Sequence, residues 1–367
     1  MVVRLIDHHC HGVFTVPLDR GRFESLLTES DRPPPAGCTA FDSQLGFAIR
    51  RWCAPVLGLD PHASPEDYLD RRRELGPAEA NRRLLTAAGV DAFLVDTGYR
   101  AGELTDPAGL AAASGGAARE VVREVVRLEA VAESLDGVNA ADFAGAFAAA
   151  LDAATAGAVA VKSIVAYRYG LDFDPARPGR GEVTAAAGRW LRAGAGRLDD
   201  PVLLRHLVWA GVDRGLPLQF HTGFGDPDLD LRRCDPALLT GFLRATRDAG
   251  VAVLLLHCYP FHRQAGYLAQ AFPHAYLDVG LAVNHVGARA AAVVAESLEL
   301  APFHKVLYSS DAFGLAELHH LGAVLFRTAF DAVTGDWVSQ GRWSAADASR
   351  VAGLVGAENA RRVYRLD

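Results

Sequence analysis

Short apolar runs alternate with amphipathic segments along most of the chain. The apolar runs predict β-strands at 3–7, 91–95, 127–132, 158–166, 216–220, 252–257, 275–279 and 305–310. Apolar positions that recur every three or four residues between these runs predict helices at 77–88, 117–126, 141–156, 201–214, 236–249 and 287–299. Strands separated by helices in this way predict an α/β fold, namely a (β/α)8 barrel of the TIM type.

Two of the predicted strand-to-helix connections are unusually long. Residues 12–76 follow the first strand and contain a Pro-Pro-Pro stretch, and residues 167–200 follow the fourth strand. Connections of this kind lie at the C-terminal face of a barrel, where substrates bind. Because no change of composition marks a second domain, we expect a single domain over residues 1–367 with a helical insertion at about 12–76.

The amino-acid composition limits which binding partners and which cellular compartment we expect for the protein. Of the 367 residues, 50% are hydrophobic, which is enough for a sizeable core. The formal charge of −7 and the lack of a basic patch argue against nucleic acid or an anionic membrane as a partner. The sequence has no apolar run of about 18 residues and no leader-like start, so we expect a cytoplasmic protein. Its five cysteines lack CxxC spacing, which fits reduced thiols.

Polar side chains of metal-ligand type fall at the ends of four predicted strands. The stretches IDHHCHG, QFHTGFGD, LLLHCYP and LYSSDAFG end the first, fifth, sixth and eighth strands. In a barrel, the C-terminal ends of the strands meet at one rim, which is where catalytic groups lie. The predicted convergent set is His9, His11, His221, His257 and Asp311.

The spacing within the first of these stretches favours a metal site. On a strand, His9 and His11 project from the same face, roughly 6–7 Å apart, whereas His8 is expected to point away. Imidazole and carboxylate ligands together suit zinc or another first-row divalent ion, with manganese or iron as alternatives. A single histidine at a strand end is more often a hydrogen-bonded core residue, and Asp311 alone could cap the following helix. The joint pattern favours one or two metal ions.

Several longer motifs resemble a known family. The stretches VKSIVAYR, LQFHTGFGD, LLHCYPFHRQAGYLA, YLDVGLA and YSSDAFGLAELHHLGA resemble those of the amidohydrolase superfamily of metal-dependent barrels. They are most similar to its amidohydrolase-related branch, which includes barrels fused to glutamine-synthetase-like domains in fungi and plants. The resemblance spans nearly the whole chain and is strongest from 158 to 323. These 367 residues contain no synthetase-like stretch, so we expect a stand-alone barrel, and any inference about glutamine chemistry is weakened.

Lys162 lies in the middle of an apolar strand, in a chain with only one other lysine, Lys305. A buried lysine tends to lose its proton, and a neutral amine can react with carbon dioxide to form a carbamate that bridges two ions. Arginine cannot react in this way, because it stays protonated. Alternatively, Lys162 remains an ammonium paired with Glu129 or Asp311, or holds a substrate carboxylate. Lys305 is expected to be an ordinary surface charge.

The resemblance also implies roles for the ligands. His9 and His11 would hold one ion and His221 and His257 the other, with Asp311 completing the first site. Branches of the superfamily that bind one metal use only the paired histidines, the fifth-strand histidine and the eighth-strand aspartate. Asp311 would orient a water and take its proton. In a one-metal site, His257 would polarise the substrate carbonyl.

Four further residues are predicted to bind substrate, namely Tyr167, Arg168, Glu129 and Gln219. Arg168 and Tyr167 follow the fourth strand and could bind a substrate carboxylate, since arginine makes bidentate pairs with such groups. An ordinary loop salt bridge is the alternative for Arg168. Glu129 could equally support the ligands from behind or form a structural ion pair.

Three functions remain open from the sequence. The first is a metal-dependent hydrolase that cleaves an amide or related C–N bond of a small, carboxylate-bearing molecule. The second is a metal-dependent non-oxidative decarboxylase on the same barrel, and the third is a non-catalytic binding barrel. A homodimer would be compatible with a barrel enzyme, although no self-complementary patch is visible.

Overall fold

A parallel sheet forms the centre of the molecule. The computed structural model describes residues 3–116, 121–135 and 137–366. Within these residues, each strand pairs with the next one along the chain. The strands are β1 (Ile6–Cys10), β2 (Ala92–Asp96), β3 (Val121–Arg127), β4 (Ala160–Ser163), β5 (Leu218–His221), β6 (Val253–Leu256) and β7 (Ala275–Leu277).

Helices connect these strands and follow the last one. In chain order, the described residues form α1 (Arg20–Glu24), α2 (Gln44–Ala48), α3 (Ala54–Leu57), α4 (Pro65–Ala88), α5 (Pro107–Ala113), α6 (Leu128–Glu133), α7 (Phe143–Ala154), α8 (Val165–Arg168), α9 (Arg180–Arg192), α10 (Pro201–Asp213), α11 (Thr240–Ala245), α12 (His262–Ala271), α13 (Gly280–Val286), α14 (Ala290–Ser297), α15 (Ala316–Ser339), α16 (Ala345–Gly353) and α17 (Asn359–Tyr364). None of the helices in the described part of the chain is long and apolar enough to cross a membrane.

The eighth predicted strand, 305–310, does not form a regular ladder, so the described residues give seven strands where eight were expected. Its backbone nevertheless contacts both edges of the sheet. Leu307 N donates to Leu277 O at 3.0 Å on the β7 side. His8 N donates to Tyr308 O at 3.3 Å on the β1 side. The sheet is therefore curled, and the segment after β7 joins its last strand to its first.

The largest error of the sequence prediction concerns β3. We expected a helix at 117–126 and a strand at 127–132, whereas β3 ends at Arg127 and α6 follows at once. Residues 117–120 lie outside the described residues. Paired valines in VVREVVR repeat at a spacing that also fits a helix, but β-branched side chains favour a strand. Pairing along the full length of β2 then fixes that strand.

Other helices agree with the prediction apart from their ends. Helices α7 and α10 lie within the predicted 141–156 and 201–214. The predicted helix at 77–88 is the second half of α4, which starts at Pro65 and is broken at Gly76, whose φ of 72° departs from helical geometry. Pro77 cannot donate a backbone hydrogen bond, so a break before it is expected.

The interior of the curled sheet is filled partly by the C-terminal helix. Apolar side chains from the strands pack there with Val363 and Tyr364 of α17. A larger apolar layer separates the outer face of the sheet from the surrounding helices. The packing of α17 places a tyrosine hydroxyl below the C-terminal rim of the strands, where it becomes part of the site.

Lys305 is not the surface charge that the sequence predicted. It is only 6% exposed, and its Nζ donates to Ala269 O at 2.7 Å and to Phe272 O at 2.6 Å. Both carbonyls lie at the C-terminal end of α12, where a helix leaves acceptors without partners and favours positive charge. Burial also lowers the pKa of this amine.

A buried ion pair fastens the insertion to the helix that follows the site. Arg72 of α4 donates to Glu317 of α15 at 2.7 Å, and the Tyr68 hydroxyl donates to the same carboxylate oxygen at 3.0 Å. The arginine side chain is 6% exposed and the glutamate is fully buried. Because both charges are removed from water, each depends on the other for compensation.

We expect Arg72→Met to destabilise the protein by about 3–5 kcal/mol, since Glu317 would keep a buried charge without a partner. Arg73→Met is the matched control, because Arg73 pairs with Asp70 at the surface and exposed pairs contribute little. Urea unfolding followed by circular dichroism measures both changes. Equal midpoints for the two variants would contradict this role of the pair.

Candidate metal centre

Five of the predicted ligands come together at one rim of the sheet. Ring centroids of His9 and His11 are 5.2 Å apart, those of His9 and His257 are 5.5 Å apart, and those of His221 and His257 are 4.8 Å apart. The Asp311 carboxylate lies among them. Residues separated by up to 302 positions in the chain (9 to 311) are thus neighbours in space.

His9 of β1 and His11, which follows the strand, present the same nitrogen to the centre. His9 Nδ1 lies 2.9 Å from Gln219 Oε1, and His11 Nδ1 lies 3.0 Å from the backbone oxygen of Asp96. A carbonyl oxygen only accepts, so each Nδ1 must carry the proton. The Nε2 lone pairs are then free to bind a cation, and partners on Nδ1 commonly orient metal-binding histidines in this way.

Asp311 faces these lone pairs directly. Its Oδ1 lies 3.1 Å from His9 Nε2 and 3.4 Å from His11 Nε2, and its Oδ2 lies 3.5 Å from His257 Nε2. Asp311 and His257 have φ values of 50° and 67°, in the left-handed region that non-glycine residues seldom adopt. Acceptor atoms at such distances repel each other unless a cation or a proton lies between them.

Lys162 supplies positive charge beside this cluster. Its Nζ lies 2.8 Å from His9 Nε2 and 3.4 Å from Asp96 Oδ2, and the residue is 2% exposed. Its carboxylate contact is therefore Asp96, not the predicted Glu129 or Asp311. Burial lowers the pKa of the amine, and the negative charge of Asp96 opposes that shift. The lysine is thus held where loss of its proton is favoured.

The donor atoms of the cluster fit a metal ion. Burial lowers the pKa of His9 to about 3 and shifts the pKa values of His221 and His257 in the same direction, so these rings are neutral at neutral pH. Neither ring nitrogen of His257 nor the Nε2 of His221 has a hydrogen-bond partner among the described residues. Buried nitrogens without partners are costly, and a divalent ion would satisfy them.

A β-bulge changes the direction of the His8 side chain. Regular alternation along the strand had predicted that this side chain points away from the centre. Asp7 pairs with Phe93, whereas Cys10 pairs with Val95, so β1 has one residue more than β2 in this interval. His8 is consequently buried, with its Nδ1 2.8 Å from the Tyr364 hydroxyl. The expectation for His8 was therefore wrong.

A buried hydrogen-bond network supports the ligands from below. Gln219 Nε2 donates to the Tyr364 hydroxyl at 2.8 Å and to the backbone oxygen of His8 at 2.9 Å. These two bonds fix the amide so that its oxygen faces His9. On the other side of the network, His8 Nε2 lies 3.1 Å from Asp278, which accepts from His257 N at 2.9 Å.

Two of the four predicted substrate-binding residues lie away from the cavity wall. Gln219 is fully buried and its amide is occupied by the network. Glu129 is also fully buried, where it accepts from Ser163 Oγ at 2.7 Å and from Ile164 N at 3.0 Å. Both side chains therefore position β4, β5 and their neighbours, and neither lines the cavity.

Tyr167 and Arg168 do line a cavity of about 230 Å³ beside the metal-ligand cluster. The Tyr167 ring lies 4.5 Å from the His221 ring, measured between centroids. Arg168 makes a bidentate pair with Glu133 at 2.7 and 3.3 Å. The guanidinium that was predicted to hold a substrate carboxylate is thus already paired within the protein. This agrees with the alternative prediction, an ordinary loop salt bridge.

The glycines of the HTGFGD turn allow close approach to the cavity. A side chain on Gly225 would place its Cβ 2.0 Å from the Tyr167 hydroxyl. Gly223 has a φ of 76°, and its Cβ would lie 2.3 Å from the backbone oxygen of Tyr259. Only glycine fits at these two positions.

Sequence reasoning missed several residues of the site. Asp96 and Asp278 lie at the C-terminal ends of predicted strands, as the metal ligands do. Their positions in the sequence could therefore have identified them. Arg127, which contacts Asp96 at 2.5 Å, was missed because the third strand was predicted to begin at this residue, whereas β3 ends there. Tyr364 and Glu29 reach the site through the packing of α17 and of the insertion, for which the sequence carries no local signal.

Comparison with known proteins identifies the family. Residues 58–366 match the model of a family described as amidohydrolase. Protein fluG of Emericella nidulans is 33% identical over 223 residues, which are 57% of this chain and 26% of fluG, so the chain spans about a quarter of that protein. The chain belongs to the amidohydrolase family.

Solved structures agree with this assignment. A Lactobacillus casei ATCC 334 protein proposed to be a metal-dependent hydrolase is 30% identical, with a TM-score of 0.86 over 99% of this chain and 95% of that chain. Uronate isomerase from Thermotoga maritima is 12% identical, with a TM-score of 0.63 over 99% and 94% of the two chains, a likeness of fold alone. Family membership supports an enzyme and suggests a divalent metal.

We expect Gln219→Leu to weaken zinc binding by about 10- to 100-fold, the range typical for loss of a partner that orients a ligand. The substitution removes the acceptor that holds His9 Nδ1. Gln340→Leu is the matched control, since Gln340 contacts only Asp336 at the surface in the described structure. Competition with a chromogenic chelator measures both affinities. Unchanged affinity in Gln219→Leu would show that this hydrogen bond does not orient the ligand.

Proposed function

We propose that the protein is a metal-dependent hydrolase that cleaves an amide or related C–N bond of a small molecule. The observation that carries this proposal is the approach of Asp311 Oδ1 to two imidazole Nε2 atoms beside an open cavity. Nitrogen and carboxylate donors favour zinc, and manganese or iron remain compatible with them. The size of the cavity suits a small substrate.

His9, His11 and Asp311 would hold one ion, because their donor atoms face each other directly. His221 and His257 would hold a second ion, since their rings lie together. The Nε2 of His221 and both ring nitrogens of His257 lack a hydrogen-bond partner among the described residues. Lys162, whose amine is buried next to His9, would bridge the two ions as a carbamate. Formation of the carbamate joins the neutral amine nitrogen to the carbon of carbon dioxide and releases one proton.

When bound, a divalent ion lowers the pKa of a water molecule and polarises a carbonyl group. Asp311 would accept the proton of the attacking water at its carboxylate oxygen and transfer it to the leaving nitrogen. Water thus adds to the carbonyl carbon, the C–N bond breaks, and the amine leaves with the proton. Tyr167 and Leu281 line the cavity and would help to position the substrate.

Removal of the metal should abolish hydrolysis and zinc should restore it. In a screen of N-acyl and γ-glutamyl amides, we expect His221→Ala to lose more than about 100-fold in kcat/KM, since loss of a ligand should exceed loss of an outer partner. His304→Ala, at an exposed position, is the matched control. Full activity of the metal-free protein, or of His221→Ala, would contradict the proposal, and release of carbon dioxide instead of an amine would indicate a decarboxylase.

The carbamate can be tested separately because the chain has only two lysines. Zinc-loaded protein equilibrated with ¹³C-labelled carbon dioxide should give one carbamate carbon resonance that survives removal of free carbon dioxide. Lys162→Arg should lose this resonance, since arginine stays protonated, whereas Lys305→Arg should keep it. A resonance that persists in Lys162→Arg would show that Lys162 is not the carbamate.

A further inference from the structure

The arginines in the cavity wall are already paired within the protein. Three arginines line the cavity, and each contacts a carboxylate, of which Asp96 also lies 3.4 Å from Lys162. The pairs are Arg127 with Asp96 at 2.5 Å, Arg168 with Glu133 at 2.7 Å and Arg197 with Asp228 at 2.7 Å. A substrate carboxylate would have to compete with these carboxylates for its arginine.

Two carboxylates in the same wall have no such balance. Glu29 and Asp226 line the cavity, and neither has an arginine or lysine partner among the described ion pairs. Glu29 Oε1 is buried without a hydrogen-bond donor in the described structure, and the imidazole Nε2 of His285 lies 3.4 Å from it. The Asp226 carboxylate accepts a hydrogen bond from the backbone nitrogen of Asp228 at 2.9 Å.

Both carboxylates lie beside the aromatic part of the cavity. Burial raises the pKa values of Tyr99 and Tyr167, and the negative charges of Glu29 and Asp226 raise them further. The Phe313 ring, also in the wall, lies 5.8 Å from the Tyr99 ring. Carboxylates combined with aromatic faces form a site for an organic cation, because each attracts positive charge.

The same cavity contains a further group that lacks a partner. His221 is 4% exposed and lines the cavity, and its Nε2 has no hydrogen-bond partner among the described residues. In the proposed function, this nitrogen lies at the metal centre, where the scissile bond would be placed. The cavity thus has a reactive end and a wall with two carboxylates, Glu29 and Asp226, that form no ion pair with arginine or lysine among the described residues.

We propose that Glu29 and Asp226 select a substrate that carries a protonated amine in addition to the bond that is cleaved. This inference rests on the proposed function and replaces the expectation of a carboxylate-bearing substrate. An ammonium group between the two carboxylates would relieve their mutual repulsion. Burial of Asp226, together with the charges of Asp228 and Glu29, raises the pKa of its carboxyl, and the charge of Arg197 opposes that rise. A substrate cation would oppose it further.

Three primary amides of equal chain length test this specificity. They are 4-aminobutanamide, 4-hydroxybutanamide and succinamate, which share a four-carbon chain whose fourth carbon is an aminomethyl carbon (CH2–NH3⁺), a hydroxymethyl carbon (CH2–OH) or a carboxylate carbon. Isothermal titration calorimetry with the zinc-loaded full chain measures their binding without any need for turnover. We expect 4-aminobutanamide to bind at least about tenfold more tightly than the hydroxyl analogue, and succinamate to bind most weakly.

Variants that remove the charge of Glu29 or of Asp226 test whether these carboxylates cause the preference for the ammonium compound. Glu29→Gln and Asp226→Asn should each reduce the advantage of the ammonium compound to less than about threefold. Asp199→Asn, at an exposed position outside the cavity wall, is the control and should keep the full preference. Melting temperatures confirm that the variants are folded.

Three results would overturn the inference. They are a preference for succinamate in the wild-type protein, an ammonium preference that persists in both variants, and a lack of binding by all three compounds. Hydrolysis is recorded in the same samples. If 4-aminobutanamide binds as expected but is not cleaved, the specificity stands and the hydrolase proposal is the part that fails for this compound.

Discussion

The site depends on the contact between one carboxylate and several imidazoles that all present lone pairs. Asp311 Oδ1 lies 3.1 Å from His9 Nε2 and 3.4 Å from His11 Nε2. Hydrogen bonds to Gln219 and to the backbone of Asp96 keep the protons of these rings on the far side. Electron-rich atoms held face to face in a buried site repel each other unless a cation or a proton lies between them. This electrostatic constraint links the fold to the proposed metal-dependent reaction.

The rest of the fold maintains that constraint. The bulge in β1 turns His8 inward, so that one short strand contributes both to the cluster and to the network below it. Helix α17 fills the interior of the sheet and supplies the Tyr364 hydroxyl that fixes the Gln219 amide. Glu129 holds the end of β4 just after Lys162. The ligands are therefore positioned by residues from both ends of the chain.

The sequence was informative where position along a strand determines position in space. His9, His11, His221, His257 and Asp311 could be grouped because parallel strands bring their C-terminal ends to one rim. The prediction was wrong where a local pattern was ambiguous, as for β3, or where a single inserted residue reversed the alternation, as for His8. Contacts between distant segments could not be predicted from the sequence. Arg168 meets Glu133, and Lys305 meets the end of α12, only in the folded chain.

The metal centre itself can be observed most directly by anomalous diffraction from crystals of the metal-replete protein. The account predicts an anomalous peak about 2.0–2.1 Å from the Nε2 atoms of both His9 and His11, the usual distance for histidine on zinc, with Asp311 as a further ligand. Metal-replete crystals with no peak at this cluster, or with the metal bound elsewhere, would contradict it.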